Sequence, residues 1–228
     1  MNHVSRRSLL GLGGVGLGVA GALALSACGS RTASPEASSG AADSDGAGSG
    51  TWPRTVTDAQ GEVTIETQPA KVVSTSPSVT GTLLAIDAPV VSSAAASPSP
   101  LTDDKGFFTQ WASAADERGV DVLYSNLEFD LEAVISADPD LVVVSSSGKD
   151  SLQEDQLASL KEQFTVIVVD YNKQSWQDLA TQLGAALGLE DKASAAATDF
   201  DTYLNEAKGK ITPPSGGVTL VSYNGPST

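Results

Sequence analysis

Two uninterrupted apolar runs, Leu141-Val142-Val143-Val144 and Val166-Ile167-Val168-Val169, constrain the fold more than any other feature of the chain. A strand with one wet face alternates apolar and polar residues. A strand with no polar position must be covered on both faces, as in a parallel sheet with helices above and below. Parallel neighbours need a crossover, usually a helix. The stretches between the apolar runs supply helical stripes: Leu152, Leu157, Leu160 and Phe164, then Trp176, Leu179, Leu183 and Leu187 behind a Ser175 N-cap. Upstream the same rhythm predicts a strand at Val72-Val73, a helix from Val79 to Ile86, a strand at Val90-Val91, and a helix with Phe107, Phe108, Trp111, Ala114 and Ala115 on one face. A strand over Val120 to Tyr124 follows, then a short helix marked by Leu131, Val134 and Ile135 and ended by Pro139. Thr55-Val56-Thr57 and Val63-Thr64-Ile65 flank Asp58-Ala59-Gln60-Gly61 and predict a hairpin. The expectation is a doubly wound α/β lobe over residues 52–190.

The first residues read differently. Ser5-Arg6-Arg7-Ser8-Leu9-Leu10 opens a Gly-rich apolar run to Leu25, and Leu25-Ser26-Ala27-Cys28 closes it with small residues before a cysteine. This is similar to a bacterial lipoprotein signal over residues 1–28, whose lipobox cysteine, Cys28, receives the lipid. The paired arginines resemble a twin-arginine export signal. As a membrane-spanning helix the run is slightly short of about 20 residues and poor in helix formers. Residues 29–51 are mostly Ser, Ala, Gly and Asp and read as a flexible tether. The expected location is the extracytoplasmic face of the cell membrane, with the folded body held clear of the lipid.

Composition excludes several functions. A formal net charge of −15 over 228 residues argues against a nucleic-acid surface. The single Met, His and Cys are Met1, His3 and Cys28, so a body beginning at Cys28 contains no His and no Met. That excludes a disulfide framework, a zinc site with His or Cys ligands, and haem held by His, Cys or Met. It also removes the usual general base and thiol nucleophile. No Gly-x-Ser-x-Gly elbow is present. The chain reads as a non-enzyme with no cofactor and no bound metal of its own.

A long helical pattern covers residues 191–211, with Phe200, Tyr203, Leu204 and Ala207 on one face and Pro213-Pro214 as its stop. Val218-Thr219-Leu220-Val221 then begins a strand within residues 217–228. One strand cannot form a domain. The expectation is a second, C-terminal lobe that begins here and is mostly absent.

Several stretches together resemble the iron–siderophore periplasmic binding proteins, the ferric-enterobactin type in particular. They are Val72-Val73-Ser74-Thr75-Ser76, Gly81-Thr82-Leu83-Leu84-Ala85-Ile86-Asp87-Ala88-Pro89-Val90, Asp103-Asp104-Lys105-Gly106-Phe107, Gln110-Trp111, Pro139-Asp140-Leu141 and Lys173-Gln174-Ser175-Trp176. The resemblance implies a two-lobed solute-binding protein with a single long linking helix and the ligand between the lobes. It implies a monomer that captures a ferric siderophore, of catecholate type, and delivers it to the permease of an ABC importer. Glu132 matches the exposed glutamate that docks on permease arginines in related receptors; as a residue alone it is also a favourable acid at a helix start. The family carries an arginine where Pro100 stands, and residues Ser92 to Thr102 are uncharged. Cobalamin or haem remains an alternative ligand for the same fold, and an extracellular enzyme on an α/β scaffold is an alternative from another class.

An iron–catecholate complex is anionic, flat-sided and aromatic, so its receptor needs cations or N–H donors and aromatic faces. Ligands of open α/β sheets sit beyond the carboxyl ends of the strands. That rule selects Ser74 to Thr80, with Ser76 and Thr80 as candidates, together with Ser92 to Pro100, Tyr124 to Glu128, Ser145 to Asp150 and Asp170 to Lys173. Ser146 and Lys149 offer a hydroxyl and an ammonium, or else a helix cap and a solvated lysine. Tyr124 and Tyr171 end strands at the cleft rim, as ligand contacts or as ordinary rim tyrosines. Trp111 and Trp176 fall in helical stripes and read first as core.

Overall fold

The structure is a computed structural model and describes residues 51–212 and 215–221. The signal segment with Cys28, the tether up to Gly50, Pro213-Pro214 and residues 222–228 lie outside the described residues. In chain order the elements are β1 (Arg54–Thr57), β2 (Glu62–Ile65), β3 (Val72–Ser74), α1 (Pro77–Ala85), β4 (Val90–Ser93), α2 (Ala112–Glu117) and β5 (Asp121–Val122). They continue with α3 (Leu131–Ala137), β6 (Leu141–Ser145), α4 (Glu154–Lys161), β7 (Val166–Val169), α5 (Trp176–Leu187) and α6 (Glu190–Lys210).

β3 to β7 form a parallel five-stranded sheet in the order β5-β4-β3-β6-β7. The chain runs outward from β3 to β5, then returns to β6, so its winding reverses between β3 and β6. The two apolar runs divide by period two, as a strand must. Leu141, Val143, Ile167 and Val169 join the core beneath α1, α2 and α5, while Val142, Val144, Val166 and Val168 join the core beneath α3 and α4. Each such fully buried side chain contributes about 1.5–3 kcal/mol.

β1 and β2 pair as the expected antiparallel hairpin. Its turn does more than reverse the chain. Asp58 Oδ1 accepts from the Gln60 and Gly61 N–H groups, Oδ2 accepts from Val168 N–H, and Ala59 N–H donates to the Val168 carbonyl. The hairpin tip thereby closes the outer edge of β7.

Three expectations are corrected. Phe107, Phe108 and Trp111 precede α2 instead of lying along it. Asp103 Oδ1 accepts from the N–H groups of Lys105 and Phe107, and this turn sets Phe107 into the core before the helix starts. The strand expected over Val120 to Tyr124 shrinks to Asp121–Val122, because only those residues pair with β4. Val218–Val221 forms no strand among the described residues and is exposed.

The long helix is present as α6, one residue earlier than expected. Its first turns pack on α5, where Gly184 admits Ala193: a Cβ at Gly184 would lie 2.8 Å from the Ala193 Cβ. Asp87 ties this start to α2 through Lys192 and Arg118, each at 2.8 Å, and the Lys192 contact holds its carboxyl below the usual range. Farther on α6 leaves the lobe, and Tyr203 is 70% exposed.

Candidate ligand-binding cleft

The loops at the carboxyl ends of β3, β6 and β7 meet at the winding reversal, where open α/β sheets hold ligands. Asp150 joins them. Its Oδ2 accepts from Ser76 Oγ at 2.5 Å and from Ser78 N–H at 3.3 Å, and its Oδ1 accepts from Tyr171 Oη at 2.9 Å. Asp150 is 5% exposed, and a carboxylate buried to that degree needs such donors. Gly148 makes the junction fit. It has φ +81, and a Cβ there would lie 1.7 Å from Tyr171 Oη.

The Ser-rich loop folds on itself. Ser145 Oγ donates to the Ser147 carbonyl and accepts from Ser147 N–H, while exposed Ser146 donates through Oγ to the Val169 carbonyl. This turn leaves Lys149 exposed beside Asp150. The two residues line two cavities, of about 310 Å³ with Tyr171, Phe108 and Pro77, and of about 210 Å³ with Tyr124 and Phe129. Burial pushes the Tyr171 phenol above its ordinary value, and the Asp150 carboxylate pushes it the same way.

Of the residues selected from sequence, Ser76, Lys149 and Tyr171 meet around Asp150, with Ser146 on the adjoining turn. Tyr124 is a more buried neighbour: it is 8% exposed, and its Oη donates to the Thr75 carbonyl at 3.3 Å. Burial raises its pKa strongly. Thr80 sits inside α1, where its hydroxyl meets the Ser76 carbonyl at 3.0 Å and Ser93 Oγ at 2.7 Å, facing the sheet instead of the cleft. Lys173 pairs with Asp170 at 2.8 Å, which lowers the Asp170 pKa and raises that of Lys173. Glu132 is exposed in the first turn of α3, behind an Asp130 N-cap that accepts from Ala133 N–H. Trp111 is buried, as a core stripe predicts, whereas Trp176 is half-buried and meets Phe200 edge to face at 5.1 Å.

Sequence reasoning placed Asp150 at the end of a selected loop but gave it no role. The one local signal was an acid closing a Ser-Ser-Ser-Gly-Lys loop directly after a buried strand.

Part of the motif that suggested a family packs against the loop after β4. Gly106, at φ +88, presses on the chain at Ala96, where a Cβ would lie 2.1 Å from the carbonyl oxygen. Asp103 and Gly106 thus shape the uncharged loop leading from β4.

The fold has counterparts among known proteins. The family described as periplasmic binding protein matches residues 72–223. The ferric enterobactin-binding periplasmic protein of Escherichia coli O6:H1 is 42% identical over 175 residues, an alignment covering 75% of this chain and 54% of that protein. The chain therefore spans about half the length of this curated relative. The crystal structure of holo-ViuP superposes with a TM-score of 0.69 at 43% identity, covering 78% of this chain and 58% of that one. Staphylococcus aureus SirA complexed with staphyloferrin B gives a TM-score of 0.55 at 20% identity over 69% of this chain and 51% of its own, a likeness of fold alone.

Proposed function

The chain belongs to the periplasmic binding protein family, and on that premise we propose that it captures a ferric siderophore, of catecholate type, and delivers it to an ABC importer. The observation that carries this reading is the 42% identity to a ferric enterobactin-binding relative, in a chain whose sheet brings Lys149 and Tyr171 to the winding reversal. The role is binding, without catalysis.

On this reading residues 52–190 supply one wall of the cleft. The Lys149 ammonium faces the anionic complex, and the Tyr171 ring offers a flat apolar surface. Ser146 contributes a hydroxyl at the rim. Ser76 acts through Asp150, Tyr124 through the Thr75 carbonyl, and Thr80 by holding the turn between β3 and α1. Glu132 docks on the permease from outside the cleft. The lipid on Cys28 keeps the protein at the extracytoplasmic face of the membrane.

Titration of the protein with ferric enterobactin, read by tryptophan fluorescence, tests the reading. Saturable quenching is expected, and it weakens when Lys149 is replaced by Ala. A protein that binds neither ferric enterobactin nor any other ferric siderophore contradicts it.

A further inference from the structure

A strained residue stands in the middle of the cleft wall. Among the described residues, those other than glycine with a left-handed backbone are Asp87, Asn126, Leu127 and Asp138. Asp and Asn enter that region at little cost because their short polar side chains bond locally, whereas leucine does not. Leu127, at φ +59, is the outlier. Its neighbours impose the conformation. Ala95 N–H donates to the Tyr124 carbonyl at 2.8 Å, Leu127 N–H donates to the Ala95 carbonyl at 3.0 Å, and Glu128 N–H closes a turn onto the Ser125 carbonyl at 3.0 Å. These bonds clamp the loop after β5 to the loop after β4. Backbone strain held in place by its surroundings gathers at ligand sites.

The place where the strain is held is specific. Leu127 lines both cavities beside Asp150, and only Lys149 and Asp150 share that position with it. Asp150 is buried, and its oxygens are taken up by Ser76, Ser78 and Tyr171. The boundary between the cavities that a ligand can meet is therefore half-buried Leu127 and exposed Lys149. On one side stand Tyr124 and Phe129, edge to face with centroids 5.9 Å apart, and on the other Phe108 and Tyr171. A cavity of about 150 Å³ holds a benzene ring. The volumes here, about 210 and 310 Å³, each admit one six-membered ring.

We propose that Leu127 is the shape-selecting residue of the cleft: two catecholate rings of one ferric complex straddle it, one in each cavity, while Lys149 meets the negative charge on their iron-bound oxygens. The proposal rests on the siderophore reading and deepens it. A tris-catecholate iron centre is a three-bladed body with a groove between neighbouring blades. A ridge between two ring-sized seats is the complement of that shape, and an ammonium on the ridge lies where the charge of both rings converges. A trihydroxamate centre has no aromatic blades to seat.

Two variants separate the ridge from the loop that carries it. Leu127→Gly removes the ridge and suits the left-handed backbone. Leu127→Asn suits that backbone too and keeps a side chain of similar length. The parent and both variants are titrated with ferric enterobactin, a tris-catecholate, and with ferrichrome, a trihydroxamate, and their melting temperatures are recorded. Ferric enterobactin affinity is expected to fall roughly tenfold in Leu127→Gly, and by less in Leu127→Asn. Ferrichrome binding is expected to be the same in all three proteins, down to no binding in any. Both variants are expected to melt no lower than the parent, because the strain is relieved; a residue that only holds the loop would lose stability and affinity together. Parental ferric enterobactin affinity in Leu127→Gly overturns the ridge and leaves the siderophore reading intact. So does an equal loss for both ferric complexes, or a loss that comes only with a lowered melting temperature. Failure of the parent to bind any ferric siderophore removes both readings.

Discussion

The sheet carries a buried charge at each end, and the two are treated differently. At the carboxyl end, Asp150 accepts three hydrogen bonds from two loops. At the corner where α5 meets α6, Arg54 is 7% exposed, bonds the Ala185 carbonyl and Glu190, and leaves Nε and Nη2 without partners. Donors matched to a buried carboxylate fix the loops around it to one geometry. A guanidinium that is only partly paired, with its flat face on Trp52, latches the hairpin to the helix corner through packing as much as through charge. One charge fixes a junction of loops and the other a corner of the fold.

Replacing each charge breaks the comparison where it is weakest. Asp150→Ala strands the Ser76, Ser78 and Tyr171 donors, so stability should fall by about 2–4 kcal/mol. Siderophore affinity should fall with it, beyond what unfolding accounts for; urea unfolding and titration of the folded fraction check both. Gly148→Ala forces an unfavourable φ and displaces Tyr171, with an expected loss of about 1–3 kcal/mol and the same loss of affinity. Arg54→Met keeps the packing and removes a half-satisfied charge, so the expected cost is at most about 2 kcal/mol, with affinity at the parental level. Equal affinity losses in Asp150→Ala and Arg54→Met would erase the distinction between the two ends.

The sheet was legible in the sequence because Leu141–Val144 and Val166–Val169 can be satisfied only by cover on both faces. The Ser175 cap and the Asp58 turn were legible because their partners are local. Asp150 was not, since its partners Ser76 and Tyr171 lie 74 and 21 residues away. The same limit applies to Thr80, whose direction is set by Ser93 on the next strand. The start of α2 was misread because the apolar spacing of Phe107, Phe108 and Trp111 suits a helix, while the Asp103 side chain captures the N–H groups that would begin one.

Smaller effects sharpen the picture. Tyr124 keeps its proton more tightly in the folded state than the ordinary phenol value of 10.0, because burial disfavours phenolate. Its contribution is complete below that pH and is lost as pH rises toward the folded value. Tyr124→Phe should therefore cost about 1 kcal/mol at pH 7 and flatten the fall in melting temperature above pH 10. Glu132→Ala should change stability by no more than about 1 kcal/mol and leave affinity alone, yet impair iron uptake in cells that depend on the receptor. Parental uptake would reduce Glu132 to a helix-terminus acid. Cys28→Ala should release the protein from membranes in fractionation, and continued membrane association would contradict the lipid anchor.

The central claim is that a ferric siderophore sits at the carboxyl end of the sheet. Nuclear magnetic resonance tests it directly, because ferric iron broadens nearby amide signals and the gallium complex of the same siderophore does not. With ferric enterobactin, the account predicts broadening of amides at residues 76–78, 147–150 and 171, relative to the gallium form, and unchanged signals at Arg54, Gly188 and Glu190. Broadening centred on the Arg54 corner, or spread evenly over the surface, would contradict it.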